Sequence, residues 1–110
     1  MTIEDKNSAP QRRSITERPI GALTPYKNNP RTHSKKQIRQ IAKSLEQFGW
    51  TNPILVDDQD RIVAGHGRLA AAKSLGWTNV PTIALGVMSE ADRRAYIIAD
   101  NRLAELARVG

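Results

Sequence analysis

Apolar residues recur at helical spacing from Ile38 through Ile41, Ala42 and Leu45 to Phe48, with basic and amide side chains between them. Ser34 stands where an N-cap is needed and Gly49 where a positive φ can end a helix, so a helix is predicted between them. The preceding segment, Thr24 to His33 (TPYKNNPRTH), is dense in proline and asparagine and reads as a loop. Earlier still, the run from Ser14 to Ile20, with Ile15, Thr16 and Ile20, predicts a first strand. Pro19, with no N–H to give a neighbour, places that strand at a sheet edge. Beyond Gly49, Pro53-Ile54-Leu55-Val56 and Arg61-Ile62-Val63-Ala64 predict two short strands joined by a turn over Asp57 to Asp60. The second runs straight into Gly65-His66-Gly67, after which Arg68 to Leu75 has the alanine and leucine content of a helix stopped by Gly76. Val80 to Leu85 predicts a further strand. Ser89, with Asp92 three residues on, resembles a capping box in which Asp replaces the usual Glu or Gln, and a long helix is predicted to start there. Its apolar positions are Ala91, Ala95, Ile98, Leu103 and Leu106, with a break expected near Asp100-Asn101.

Met1 to Arg13 carries no apolar period and is expected to be a disordered basic arm, leaving residues 14–110 as one domain. A 110-residue chain buries about two-thirds of its unfolded surface, enough for one modest core. The absence of cysteine excludes a disulfide scaffold, a thiolate zinc site and a cysteine nucleophile. No apolar run approaches the roughly 20 residues of a membrane span, and no signal-peptide core is present. A cytoplasmic protein without membrane contact is therefore expected. Lys and Arg number 17 against 11 Asp and Glu, and the net charge of +6 points to an anionic partner.

The strand-GHG-helix junction is the first candidate for chemistry, because successive backbone N–H groups at a glycine turn and helix start make a cradle for phosphate. Arg68 adds a charged fork there. Gly65-His66-Gly67-Arg68-Leu69-Ala70 also fits the dinucleotide fingerprint G-x-G-x-x-A. Leu85-Gly86 stands where that fold needs an acidic residue, so a nicotinamide site is not expected. The alternative is that both glycines only permit a tight turn. The second candidate is a run of cations, Arg12, Arg13, Arg18, Lys27, Arg31, Lys35, Lys36, Arg39 and Lys43, against Glu17 alone. On the predicted helix Lys36, Arg39 and Lys43 fall opposite Ile38, Ile41 and Leu45. They form a stripe able to hold DNA phosphates, or simply a solvated face. Asp57, Asp58 and Asp60 lack the glycine and distal glutamate of a calcium loop and read as a turn. His33 and His66, far apart in sequence, give little support for a histidine metal site. Trp50, Trp77, Tyr26 and Tyr96 are too scattered for a base-stacking platform and are assigned to core packing. Asp100-Asn101-Arg102 combines oxygen ligands suited to Mg²⁺ with a phosphate partner, or marks an exposed helix break.

Together the segments FGWTNPILV, AGHGRLAAAKSLGW and YIIADNRLAEL resemble, in order, the N-terminal domain of the ParB family, which shares its fold with sulfiredoxin. The resemblance covers roughly Ile15 to Ala107 and implies an α+β fold, a small mixed β-sheet flanked by about three helices. It also implies a CTP pocket. The family's Gln-Pro-Ile corresponds to Asn52-Pro53-Ile54. Its phosphate motif Gly-Glu-Arg-Arg-x-Arg-Ala lies over Gly65 to Ala71, keeping Gly65, Arg68 and Ala71 while His66 replaces the glutamate and Gly67 and Ala70 replace two arginines. The family's Glu-Asn pair, used for metal and CTP hydrolysis, matches Asp100-Asn101. Gly-His-Gly-Arg with Ala-Asp-Asn-Arg-Leu-Ala-Glu is also similar to ParB-like domains of phages and mobile elements, including those joined to DNA methyltransferases. No methyltransferase motif is present and the sequence stops before a helix-turn-helix, so sequence-specific DNA reading is not expected. Sulfiredoxin's catalytic cysteine would fall at His66, which excludes its chemistry.

The expected site accordingly comprises Asn52, Pro53, Gly65, His66, Gly67, Arg68, Ala71 and Arg102 for a nucleotide, CTP or another NTP with Mg²⁺. Asp100 and Asn101 are assigned to the metal, and Asp100, Asn101 and His66 to any weak CTPase chemistry. Arg31, Lys35, Lys36, Arg39 and Lys43 are assigned to DNA. The alternatives left open are a Mg²⁺-dependent ParB-like nuclease, an adaptor that binds DNA or protein without nucleotide, and a homodimer.

Overall fold

The computed structural model describes residues 13–27 and 33–109, with 103–109 as helix backbone only. The expected arm up to Arg12, Arg31, and the side chains of Leu103 and Leu106 lie outside the described residues. The elements run β1 (Ile15–Pro19), a 3-10 turn at Ile20–Ala22, α1 (Lys35–Phe48), β2 (Ile54–Val56), β3 (Ile62–Ala64), α2 (His66–Ser74), β4 (Asn79–Ala84) and α3 (Glu90–Val109). The strands form one mixed sheet in the order β1-β4-β2-β3. β1 pairs antiparallel with β4, β4 parallel with β2, and β2 antiparallel with β3. β1 is an edge strand, as Pro19 demands, and Thr82 Oγ1 donates to the Thr16 carbonyl at 2.8 Å to tie it to β4.

α1 starts where Ser34 and Gln37 close a reciprocal capping box. The Gln37 amide donates to Ser34 Oγ at 3.1 Å, and the Ser34 amide to Gln37 Oε1 at 3.0 Å. Its inner face packs Ala42 and Leu45 against Ala71 of α2, flanked by Ile38 and Ile41. Small residues on α2 let the two helices approach closely. A second core layer joins Leu23, Ile54, Val56, Ile62, Leu69, Ala72 and Val80, with Trp50 and Trp77 against it. The two indoles meet at 6.1 Å between centroids, tilted by 50°. β3 is buried on both faces. Ile62 joins the main core, while Val63, projecting oppositely, lies at 1% exposure on the other side of the sheet.

Five expectations are corrected by the structure. α2 begins at His66 rather than Arg68, because Gly65 in a left-handed conformation (φ 104°) turns the chain and its carbonyl accepts from the Leu69 amide at 2.9 Å. α3 is continuous through Asp100-Asn101, without the expected break. Its buried residues are Arg93 and Ile97, one turn apart, while Ala91, Ala95 and Ile98 face outward. Phe48, in the last turn of α1, is 68% exposed, since the apolar contact of that helix ends at Leu45. Nor are all the aromatics core residues: Tyr26 stacks on an arginine, described below, and Tyr96 is exposed.

The turn after β2 is held by Asp57, which is 1% exposed. Its Oδ1 accepts from the Gln59 and Arg61 amides, both at 2.9 Å, and its Oδ2 accepts from Arg61 Nε at 2.7 Å. Arg93 reaches the same Oδ2 at 3.5 Å from α3. Asp60 sits at positive φ in this turn and pairs with Arg18 of β1.

Candidate functional site

A cavity of about 170 Å³ opens where the N-terminus of α2 meets α1, β3 and α3. Its floor is apolar, made by Ile41, Val63 and Ile97. Gly65 to Arg68 form one wall, Asp100 and Asn101 of α3 face them, and His33 closes the side next to α1. Residues distant in sequence thus converge because β3 leads directly into α2 while α3 returns across β3.

The first turn of α2 supplies the positive end of this arrangement. The amides of Gly67 and Arg68 have no carbonyl one turn back within the helix, so they point toward its open N-terminal end. Gly65 cannot be replaced without strain: its φ is 104°, and a Cβ there would lie 3.1 Å from both Arg68 Nη2 and Ile54 Cγ1. Arg68 folds back over this turn and donates from Nη2 to the Pro53 carbonyl at 3.3 Å. Its Nε is buried with no hydrogen-bond acceptor among the described residues. Burial lowers the guanidinium pKa and the Asp100 carboxylate partly offsets that, but an arginine stays charged.

His66 Nε2 accepts from the Tyr26 amide at 3.0 Å. An acceptor nitrogen requires the neutral ring. Burial is the main cause that holds its pKa below the ordinary 6.5, repulsion from His33 adds to it, and Asp100 opposes both. The two histidines that lie far apart in sequence therefore line one cavity. Among the described residues no cluster of three or more His, Cys, Asp or Glu side chains could hold a metal by itself.

Tyr26 also links the cavity to the α3 anchor. Arg93 Cζ lies 5.2 Å from the Tyr26 ring centroid, within cation–π range. Tyr26 Oη donates to Glu90 Oε2 at 3.2 Å, and Arg93 Nη2 donates to Glu90 Oε1 at 2.8 Å. Arg93, 6% exposed, was missed by sequence reasoning. Its signal was the spacing Glu90, Arg93, Ile97, in which charge and apolar bulk fall on one helix face.

The expected residues divide clearly. Gly65, His66, Gly67, Arg68, Asp100 and Asn101 line the cavity together. Asn52, Pro53 and Arg102 lie outside the lining: Asn52 and Arg102 are exposed, and Pro53 is tied to the site only by its carbonyl, which accepts from Arg68. Ala71 lies wholly inside the α1–α2 contact, a packing position. Lys35, Lys36, Arg39 and Lys43 are all exposed on the outer side of α1, and none forms an ion pair with another described residue. No helix among the described residues is long and apolar enough to cross a membrane.

Comparison with known proteins places this geometry. The ParB N-terminal domain family model matches residues 4–101. The ParB-like nuclease domain-containing protein YnaK of Escherichia coli (strain K12) is 45% identical over 80 residues, covering 73% of the chain and 92% of that relative. The nucleoid occlusion protein of Bacillus thuringiensis (strain Al Hakam) is 39% identical over 74 residues. That match covers 63% of the chain but only 26% of the relative. Among solved structures, C-terminally truncated chromosome-partitioning protein ParB from Caulobacter crescentus, complexed with CTP-gamma-S, superposes with a TM-score of 0.67. It is 29% identical over 79% of the chain and 52% of that protein. Sulfiredoxin from Arabidopsis thaliana shares the fold at a TM-score of 0.64 and 21% identity, covering 76% of the chain and 97% of its own. With its four-stranded mixed sheet and three helices, the chain belongs to the ParB N-terminal domain family, related to chromosome-partitioning and nucleoid occlusion proteins.

Proposed function

We propose that this chain binds a nucleoside triphosphate, CTP foremost, at the N-terminus of α2 and associates with DNA through the outer face of α1. The observation that carries the nucleotide reading is the convergence of the α2 N-terminus and Arg68 with Asp100 and Asn101 on one cavity. About 170 Å³ is smaller than the roughly 300–1,000 Å³ of drug-sized sites. The cavity therefore takes the phosphate chain, with the base and sugar lying toward its mouth. Arg68, whose buried Nε has no acceptor among the described residues, donates to the phosphate oxygens beside the Gly67 and Arg68 amides.

Asp100 and Asn101 fit Mg²⁺, since a carboxylate and an amide are hard oxygen donors and two protein ligands suffice when phosphates and water complete the shell. Held by these two residues, Mg²⁺ would neutralise charge on the phosphate chain. His66, neutral and engaged by Tyr26, favours binding over rapid hydrolysis, so any CTPase activity is weak. The DNA reading draws support from the exposed cations on α1, which have no ion-pair partner among the described residues, and from the kinship to chromosome-partitioning proteins. Phage or DNA-modification settings remain part of the same proposal through the form of the Gly-His-Gly-Arg motif.

Calorimetric titration with CTP, ATP and GTP in Mg²⁺, on wild type and Arg68→Ala, tests the nucleotide reading. Wild type binds CTP, and the variant loses at least about tenfold in affinity. No heat with any nucleotide would overturn the reading in favour of an adaptor. A second reading, Mg²⁺-dependent DNA cleavage, draws on the 45% identity to the ParB-like nuclease domain-containing protein of E. coli. Plasmid nicking abolished by Asp100→Ala with Asn101→Ala would support it.

A further inference from the structure

His33 has no part in the reading above, yet it stands in the cavity wall beside the first turn of α2. We infer that His33 is a ligand-contacting residue of this site and that Gly67 is the seat that admits its imidazole. The inference rests on the nucleotide reading and extends it to a residue from a different element.

Gly67 is not explained by the turn. Gly65 makes the turn with its positive φ, whereas Gly67 lies within α2 at an ordinary helical φ. A glycine inside a helix is less favourable than alanine, so the missing Cβ calls for a local cause. That cause is His33. A Cβ on Gly67 would stand 2.7 Å from His33 Nε2, 2.9 Å from Cδ2 and 3.1 Å from Cε1, closer than a ring and a methyl can approach. The ring thus rests directly on the α2 backbone.

Its placement is fixed from behind as well. His33 immediately precedes Ser34, whose capping box with Gln37 pins the start of α1, and α1 is packed on α2 through Ala42, Leu45 and Ala71. The imidazole is therefore carried by α1 into a wall otherwise built by α2. There it stands with the Arg68 guanidinium and the α2 N-terminus, with Asp100 opposite. A ring nitrogen bearing hydrogen in that place is suited to a phosphate-type oxyanion, and the ligand class is the phosphate chain of a nucleoside triphosphate.

The test compares wild type with His33→Ala, His33→Gln, Gly67→Ala and the His33→Ala/Gly67→Ala double variant. Each is titrated with CTP in Mg²⁺ and with inorganic tripolyphosphate, while the His33 ring resonances are followed by NMR. His33→Ala should weaken both ligands about tenfold, as expected for a hydrogen bond to a charged group. His33→Gln, which keeps an N–H donor, should recover part of that loss. Gly67→Ala should also weaken binding by displacing the ring, and the double variant should bind no worse than His33→Ala. The His33 resonances of wild type should shift as ligand is added. Wild-type binding with unchanged affinity in His33→Ala overturns the role of His33 alone. Weakening without Gln recovery and without a His33 shift overturns it too, leaving the residue structural. A wild type that binds neither ligand overturns the nucleotide reading and this role with it.

Discussion

Gly65 and Gly67 show how two identical residues two positions apart can answer to different causes. Gly65 is demanded by backbone conformation, and Gly65→Ala should cost about 2 kcal/mol from left-handed strain and crowding against Ile54, measured by urea unfolding. A loss below a few tenths of a kcal/mol would deny that the turn needs glycine. Asp57 shows the reverse case, a residue read only as part of a turn that proves to be a buried anchor. Burial by itself would raise its carboxyl pKa, but the Arg61 and Gln59 amides and the Arg61 side chain overcome this and hold it below the usual 3.8. Its stabilising contribution is therefore complete above the unfolded value and is lost as pH falls below about 4 through the lowered folded value. Asp57→Ala should destabilise by about 3–5 kcal/mol, because Arg93 and Arg61 keep their charges after losing the carboxylate. It should also flatten the acid limb of a stability-against-pH curve, and a variant with an unaltered limb would assign acid sensitivity elsewhere. Sequence alone exposed the acidic turn but not the burial, since Arg93 arrives from 36 residues away.

At the scale of elements, the predicted helices and strands correspond closely to those observed, and the departures share a physical origin. Helix α1 was legible because cap, apolar stripe and glycine stop agree with one another. Its capping box was also written in the sequence as Ser-x-x-Gln, so Ser34→Ala should lower stability by about 1 kcal/mol, read from the urea midpoint. An unchanged midpoint would show that tertiary packing alone fixes the helix start. Helix α3 was legible as a helix but not in its facing. Ala91, Ala95 and Ile98 look like a buried stripe by composition, whereas the contact is made by Ile97 with Arg93, whose charge is matched by Asp57 and Glu90. Periodicity counts apolar residues and cannot see a buried ion pair. On the outer face of α1 four cations remain without described acidic partners. Reversing Lys36, Arg39 and Lys43 to glutamate should abolish DNA binding at moderate salt, in fluorescence anisotropy with short duplexes. Wild-type affinity should fall steeply with salt as counterions are released. A salt-independent affinity, or a triple variant that still binds, would remove α1 from the DNA surface.

For the whole molecule, the order β1-β4-β2-β3 lay beyond local pattern, because it depends on which strands meet across long separations of sequence. Ile15 pairs with Ile83, and β2 lies parallel to β4 with β3 and α2 in the connection between them. The resemblance to the ParB family supplied the architecture that periodicity could not. The cavity depends on that topology: the GHG junction and Asp100-Asn101 were visible as separate motifs, and the crossing of α3 over β3 brings them face to face. His33 and His66 are 33 positions apart in the sequence, and only the packing of α1 on α2 brings them to one cavity. The claim that most needs direct measurement is that this cavity holds the phosphate chain. Amide chemical shifts of the ¹⁵N-labelled protein, followed during titration with CTP and Mg²⁺, locate the ligand residue by residue. Gly65, Gly67 and Arg68 should respond most strongly, with Asp100 and Asn101 shifting alongside them. Shifts confined to the outer face of α1, or no shifts at saturating CTP, would contradict it.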